Sequence, residues 1–127
     1  MKGIKVASRK AKGRSLQQWV CEQISKVTGL PWGPDQPIAS REMGQKGVDV
    51  RLVGKARKLF PFSVECKRQE NWAIPTWIKQ AQENEMTGTD WILFVRKNRQ
   101  DPIVIMGADV FFAIYEDLLL LQKRKAK

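Results

Sequence analysis

Two neighbouring segments with alternating apolar and charged residues restrict the fold of this chain most strongly. Residues 47–52 and 60–67 place apolar side chains at every second position, which is the period of a β-strand. Paired as a hairpin, they direct Asp49 of the first segment and Glu65 and Lys67 of the second towards one face of a sheet. The opposite face is apolar and fixes the register. We therefore predict three charged side chains on a rigid pair of strands.

The remaining segments predict helices and two further strands. Ser15 and Gln18 form a capping box that opens an amphipathic helix, and Gly29 ends it. Residues 30–46 are rich in Pro and Gly and predict a loop. After the hairpin we predict a helix from Pro75 to about Gly88, a buried strand over 91–95, a strand over 103–106 and a helix over 109–122 that Asp109 caps. The predicted order is α-β-β-α-β-β-α.

Length and composition exclude several classes of protein. A chain of 127 residues suits one domain. No apolar run approaches the ~18 residues of a membrane span, so we expect no membrane partner. The basic N-terminal residues are not followed by the apolar stretch of a secretory signal. The two cysteines, Cys21 and Cys66, suit a reducing cytoplasm, and the alternative is that they form a disulfide.

The net charge of +10 is concentrated at the two ends of the chain. Residues 1–14 contain six Lys or Arg and residues 123–127 contain four, and neither segment has an acidic residue. The 13 basic and 13 acidic residues between them balance. We predict a flexible basic arm over 1–14, a domain over 15–122 and a basic tail over 123–127, all contacting a polyanion. Alternatively, the two ends only increase solubility.

The composition leaves carboxylate and lysine side chains as the candidates for catalysis. The chain has no histidine and no P-loop motif, which excludes a histidine general base and a Ser-His-Asp triad. Asp49 and Glu65 supply the hard oxygen ligands that Mg²⁺ prefers, and the backbone carbonyl of Cys66 is a plausible further ligand. The ammonium of Lys67 could stabilise charge on a phosphate. The alternative is an ordinary ion pair across two strands.

This pattern resembles the signature of the PD-(D/E)XK nuclease superfamily. Asp49 and Glu65-Cys66-Lys67 match an acid on one strand and an acid-x-Lys on the next, although Val48 replaces the name-giving proline. Over roughly residues 10–115 the chain is similar to archaeal-type Holliday junction resolvases and to small phage-encoded nucleases. The further matching positions are Lys12-Gly13, Ser40-Arg41, Gly44 and the helix after Lys67. The resemblance implies an α/β single domain with a restriction-endonuclease-like core, a central mixed β-sheet flanked by helices.

The resemblance also implies an activity. The implied activity is cleavage of Holliday junctions or other branched DNA, in recombination or phage DNA processing. The implied enzyme is a DNA endonuclease that depends on Mg²⁺ and accepts Mn²⁺ as a substitute. Such an enzyme acts in the cytoplasm of a bacterial or phage-infected host cell. Its DNA-binding residues would be Lys12, Arg14, Ser40, Arg41, Lys46, Arg51 and Arg68. Two alternatives are the same chemistry on flap or duplex DNA, and a non-catalytic nucleic-acid-binding protein with this fold.

Two glutamines bear on the expected metal site. The resolvases place a metal-binding Glu on the first helix, four residues after the Gly, where this chain has Gln17. Either Gln17 performs a reduced role or Glu22 replaces the missing acid, and we favour Gln17. Gln80 resembles a glutamine that some superfamily members place near the metal. The alternative for Gln17 and Gln80 is exposure to solvent.

The last helix predicts a homodimer through the C-terminal region. Its apolar residues spread over roughly 200° of the circumference, about twice the ~100° stripe needed to pack on one core. A second copy would bury the surplus and supply a second active site for the two symmetric cuts of a junction. Alternatively, the N-terminal segment or the 30–46 loop covers this helix within one chain.

Overall fold

One mixed five-stranded sheet with helices on both faces forms the core. The computed structural model describes residues 6–41 and 47–126, with side chains from residue 15 onwards. The elements are α1 (Val6–Thr28), β1 (Ile38–Ser40), β2 (Val50–Leu52), α2 (Lys55–Leu59), β3 (Phe62–Arg68), α3 (Ile74–Glu83), β4 (Asp90–Arg96), β5 (Ile103–Met106) and α4 (Ala108–Ala126). The five described strands lie in sequence order; the β3–β4 pair is parallel and the other three pairs are antiparallel. The predicted α/β single-domain class is confirmed.

The predicted strand pair is present at the centre of the fold. Val50 of β2 lies opposite Val64 of β3, and the backbone N–H of Asp49 donates to the carbonyl of Val64 at 2.9 Å. The connection contains α2 rather than a simple turn, and Gly54 enters it with φ 58°. Val50 and Val64 are buried in one apolar cluster with Leu16, Val20 and Ile24 of α1. The prediction that the alternating apolar residues of both strands face the core is therefore confirmed.

Helix α1 is longer than predicted. It begins at Val6, so Ser15 lies inside the helix and does not cap it. The reason is that residues 7–14 are mostly Ala, Lys and Arg, which have high helix propensity and extend the helix past the capping signal. The end is as predicted, because Gly29 adopts φ 74° and its N–H donates to the carbonyl of Ser25 at 2.8 Å. The division into a basic arm, a domain and a basic tail stays a prediction. Helix α1 crosses the proposed border after residue 14, and α4 crosses the one after residue 122.

Strand β1 lies in the segment that we predicted to be a loop. Ile38 pairs with Leu52 and Ser40 with Val50, so β1 extends the sheet beyond β2. Ile38 is fully buried in the cluster beneath α1. Three residues directly after Pro37 are too few to show a periodicity, and pairing with β2 defines this strand.

The opposite face of the sheet is covered by α3. Trp77 and Ala81 are buried, and Trp77 packs on Leu93 and Val95 of β4. Pro75 lies in the first turn of α3, as predicted, and β4 has buried residues on both faces. Helix α4 begins at Ala108, so Asp109 belongs to its first turn instead of capping it. None of the described residues of α4 is buried. Within the described ranges, no helix is long and apolar enough to cross a membrane.

Candidate functional site

Two carboxyl groups, the half-buried Asp49 and the buried Glu65, meet where β2 and β3 pair. Asp49 directly precedes β2 and Glu65 lies in the middle of β3, where it is only 5% exposed. The Oδ2 atom of Asp49 accepts a hydrogen bond from the backbone N–H of Cys66 at 2.8 Å. The carboxyl groups of Asp49 and Glu65 are close enough for each to act on the pKa of the other. Two carboxylates this close repel each other, so ionising the second costs more than ionising the first.

The electrostatics of the pair follow from burial. Burial, followed by the charge of Asp49, raises the pKa of Glu65 to about 7, although the Asn84 amide and Lys67 oppose the rise. Burial raises the pKa of Asp49 as well, against the Cys66 N–H and the positive charges of Lys67 and Arg41. Two adjacent buried carboxylates are stable only with a proton or a cation between them.

The donor set fits a hard divalent cation. Mg²⁺ is commonly bound through one or two carboxylates while it keeps several water ligands. Asp49 and Glu65 supply two carboxylates, and among the described residues no group of three or more acidic or cysteine side chains gathers as a metal site. A site of this kind leaves coordination positions for backbone carbonyls, water and a phosphate. The predicted pair of acids is thus brought together, while the role of the Cys66 carbonyl stays a prediction.

Lys67 lies two residues beyond Glu65 on β3, so it projects from the same face of the sheet. It is half-buried, and its charge acts on both carboxyl groups. The structure therefore places the three side chains of the predicted motif in one electrostatic unit. A half-buried ammonium beside two acids is suited to stabilising negative charge that develops on a bound phosphate.

Asn84 is a site residue that the sequence reasoning missed. Its Nδ2 atom donates to Oε1 of Glu65 at 2.9 Å, and it stands at the C-terminal end of α3. Gln80, the residue predicted on this helix, is exposed one turn earlier. Residues four apart lie on the same side of a helix, so Gln80 and Asn84 share one side of α3. The accessory role of Gln80 stays a prediction.

Gln17 faces the protein interior. It is 2% exposed, and its Oε1 accepts a hydrogen bond from the hydroxyl of Ser40 at 2.7 Å. Solvent exposure, the alternative interpretation of Gln17, is wrong. Glu22, the other candidate on α1, is exposed. A neutral amide thus occupies the position at which the resemblance led us to expect an acid, and contact between Gln17 and a metal stays a prediction.

The predicted DNA-binding residues fall into three groups. Arg41 lies at the site, because its N–H donates to the carbonyl of Asp49 at 2.8 Å and its guanidinium borders Gly47. Arg51 is exposed and donates to the carbonyl of Pro34 at 3.2 Å, and Arg68 ends β3. Lys12 and Arg14 lie in α1 with side chains outside the described part of the chain, and Lys46 and Gly44 are outside the described residues altogether.

Comparison with known proteins supports one family. The family model described as "Phage putative PDDEXK endonuclease" matches residues 8–123. No curated protein and no solved structure gives a match. Nucleases of the PD-(D/E)XK class typically use divalent metal ions. The matched range includes Asp49, Glu65 and Lys67.

Proposed function

Because this chain belongs to the phage PDDEXK endonuclease family, we propose that Asp49, Glu65 and Lys67 form the active site of a Mg²⁺-dependent enzyme that hydrolyses phosphodiester bonds in DNA. The observation that carries the proposal is the pair of acids where β2 and β3 meet, Asp49 half-buried and Glu65 buried, with a half-buried lysine on the same face. A purely structural ion pair would not require a second acid beside a buried one.

Each residue has a distinct role in this proposal. Asp49, Glu65 and the carbonyl of Cys66 would hold Mg²⁺, or Mn²⁺ in its place. When bound, the cation lowers the pKa of a water molecule and polarises the phosphodiester. Lys67 stabilises negative charge on the phosphate oxygens during attack. Asn84 holds the Glu65 carboxylate in place through its hydrogen bond, and Arg41 offsets the charge of Asp49.

The substrate that we propose is branched DNA, with the Holliday junction as the preferred form, acted on in the cytoplasm of a bacterial or phage-infected cell. The resemblance of the Lys12-Gly13 and Ser40-Arg41 segments to the resolvases supports this choice. Flap or duplex DNA as substrate is the nearest alternative. A non-catalytic binding protein is a more distant one, for which the neutral Gln17 is the supporting observation.

We further propose that the enzyme works as a homodimer through α4. Large apolar residues of this helix are 44–66% exposed: Phe111, Phe112, Ile114, Tyr115 and Leu118 to Leu121. A helix with this much exposed apolar surface requires a covering surface. The helix is also self-complementary in charge, because Glu116 and Asp117 precede Lys123, Arg124 and Lys125, and an antiparallel partner helix would place acids against bases. The exposed Ile103 and Val104 on edge strand β5 add apolar surface for a second copy.

A cleavage assay tests the function. Junction, flap and duplex DNA of shared sequence are incubated with the wild type in Mg²⁺, alongside Asp49→Asn and a matched control, Asp35→Asn, which changes an exposed acid. We expect junction cleavage by the wild type and the control, and a loss of more than about 100-fold in Asp49→Asn, since several kcal/mol of charge stabilisation disappear. DNA binding without cleavage in either Mg²⁺ or Mn²⁺ would favour the non-catalytic alternative. Equal activity of all three proteins would show that Asp49 is not part of the active site.

A further inference from the structure

The carboxyl ends of the parallel strands β3 and β4 carry a group of cations, Arg68, Arg96 and Lys97, which we call the terminal basic cluster. Arg68 lies directly opposite Arg96 in the strand register, and Lys97 follows. Like charges opposite each other destabilise a sheet. Glu70 is the acid that acts on Arg68, and it also accepts a hydrogen bond from the N–H of Asn98 at 2.8 Å. The cluster is therefore positive overall.

The cations of this cluster are held in place. The Nη2 atom of Arg68 donates to the side chain of Asn98 at 3.2 Å, and Nε of Arg96 donates to the carbonyl of Gln100 at 2.9 Å. The Nζ atom of Lys97 lies 4.8 Å from the centre of the Trp72 ring, a cation–π contact. One face of Trp72 is thus occupied, so this ring supports Lys97 instead of offering that face to a base. Fixed cations lose little conformational entropy when they bind an anion.

Two buried donors beside the cluster have no partner within the described part of the chain. Among the described residues, none accepts a hydrogen bond from Nε of Arg68 or from Nε1 of Trp72. An unpaired buried donor costs about 1–3 kcal/mol, so a native protein has a reason to keep one where a ligand supplies the acceptor. An anion with several oxygens would relieve both the repulsion and the unmet donors.

We propose that Arg68, Arg96 and Lys97 form a subsite for a backbone phosphate of the bound DNA, outside the carboxyl ends of β3 and β4. The inference rests on the proposed nuclease function. Arg68 is three residues beyond Glu65, about 10 Å at the usual rise of a strand, and alternation puts it on the opposite face of the sheet, so the cluster lies at the strand ends and not beside Glu65. Ligands of open α/β sheets bind outside the carboxyl ends of parallel strands, which is where the cluster lies. Contacts to phosphates position DNA without reading its sequence.

Salt-dependent binding tests the subsite. The affinity for a four-way junction and for a duplex is measured by fluorescence anisotropy over a salt series, with Asp49→Asn in every protein so that nothing is cleaved. The test protein adds Arg96→Gln and Lys97→Gln, and the matched control adds Lys26→Gln and Lys79→Gln, two exposed lysines outside the cluster. We expect the slope of log affinity against log salt on the duplex to fall by about 0.9 per lost phosphate contact in the test protein. The control should keep the parent slope.

The results separate the two proposals. Equal slopes in the test and control proteins, with junction cleavage by the wild type intact, would overturn the subsite alone. Absence of both DNA cleavage and salt-dependent binding in the wild type would overturn the nuclease function and the subsite together. Arg68→Lys, in the same background, checks the chemistry independently. It keeps the charge and loses the guanidinium fork, so we expect weaker binding with a nearly unchanged slope, and parent affinity would contradict bidentate recognition.

Discussion

Replacing Glu65 with Gln should stabilise the metal-free protein at alkaline pH while abolishing cleavage. The wild type must ionise a carboxyl group that is 5% exposed and lies beside Asp49. Glutamine has nearly the same shape, its oxygen can accept from Asn84, and its amide N–H can donate to Asp49. The substitution therefore removes the cost of burying a charge, keeps the hydrogen bond from Asn84 and offers a donor to Asp49.

The pKa of Glu65 sets the size and the sign of the effect. Burial raises this pKa from 4.5 to about 7, so between these values the folded protein binds more protons than the unfolded chain. The contribution of Glu65 to stability is therefore present below pH 4.5 and is lost as the pH rises through about 7. At 1.36 kcal/mol per pH unit the loss is at most about 3 kcal/mol, or roughly 10 °C in Tm for a domain of this size.

Urea denaturation in a chelator measures the effect at pH 5 and pH 8. The free energy of unfolding of Glu65→Gln should exceed that of the wild type at pH 8 by up to about 3 kcal/mol and approach it at pH 5. Added Mg²⁺ should stabilise the wild type more than the variant, because the variant has lost a ligand. Glu83→Gln, a change at an exposed acid of α3, is the control and should show no such pH dependence. Superimposable pH profiles for wild type and Glu65→Gln would refute the reasoning.

Four other outcomes can be checked. Lys67→Ala should abolish cleavage and retain DNA binding by anisotropy, with a smaller loss of metal affinity than Asp49→Asn; wild-type turnover would remove it from the site. Gln17→Glu should alter the Mg²⁺ or Mn²⁺ dependence of cleavage, and unchanged titration curves would place Gln17 away from the metal. Sedimentation equilibrium at micromolar concentration should show twice 14.6 kDa, and a mass that stays at 14.6 kDa with and without junction DNA would end the dimer proposal. Deleting residues 1–11 should weaken binding to all DNA about equally and flatten its salt dependence, whereas an unchanged slope would show that this segment stays off the DNA.

Local pattern was sufficient for the centre of the fold and the acidic pair. The alternation of apolar and polar residues over 47–52 and 60–67 depends on strand geometry alone, so it correctly placed Val50 and Val64 inside. The same alternation brought Asp49 and Glu65 to one face. The apolar run over 91–95 likewise indicated a strand buried on both sides. These features are visible in sequence because each is set within a few consecutive residues.

Contacts between distant segments were decided only by the tertiary structure. Gln17 meets Ser40 across 23 residues, and Asn84 meets Glu65 across 19, so no local period could reveal either pair. Strand β1 exists because β2 offers it a hydrogen-bonding edge, and three residues are too few to show a pattern. Burial of the acidic pair, and hence the raised pKa of Glu65, arises only when the sheet and its covering elements pack together. The sequence determined which groups could perform the chemistry, whereas tertiary packing determined their environment, because desolvation depends on everything that surrounds a group.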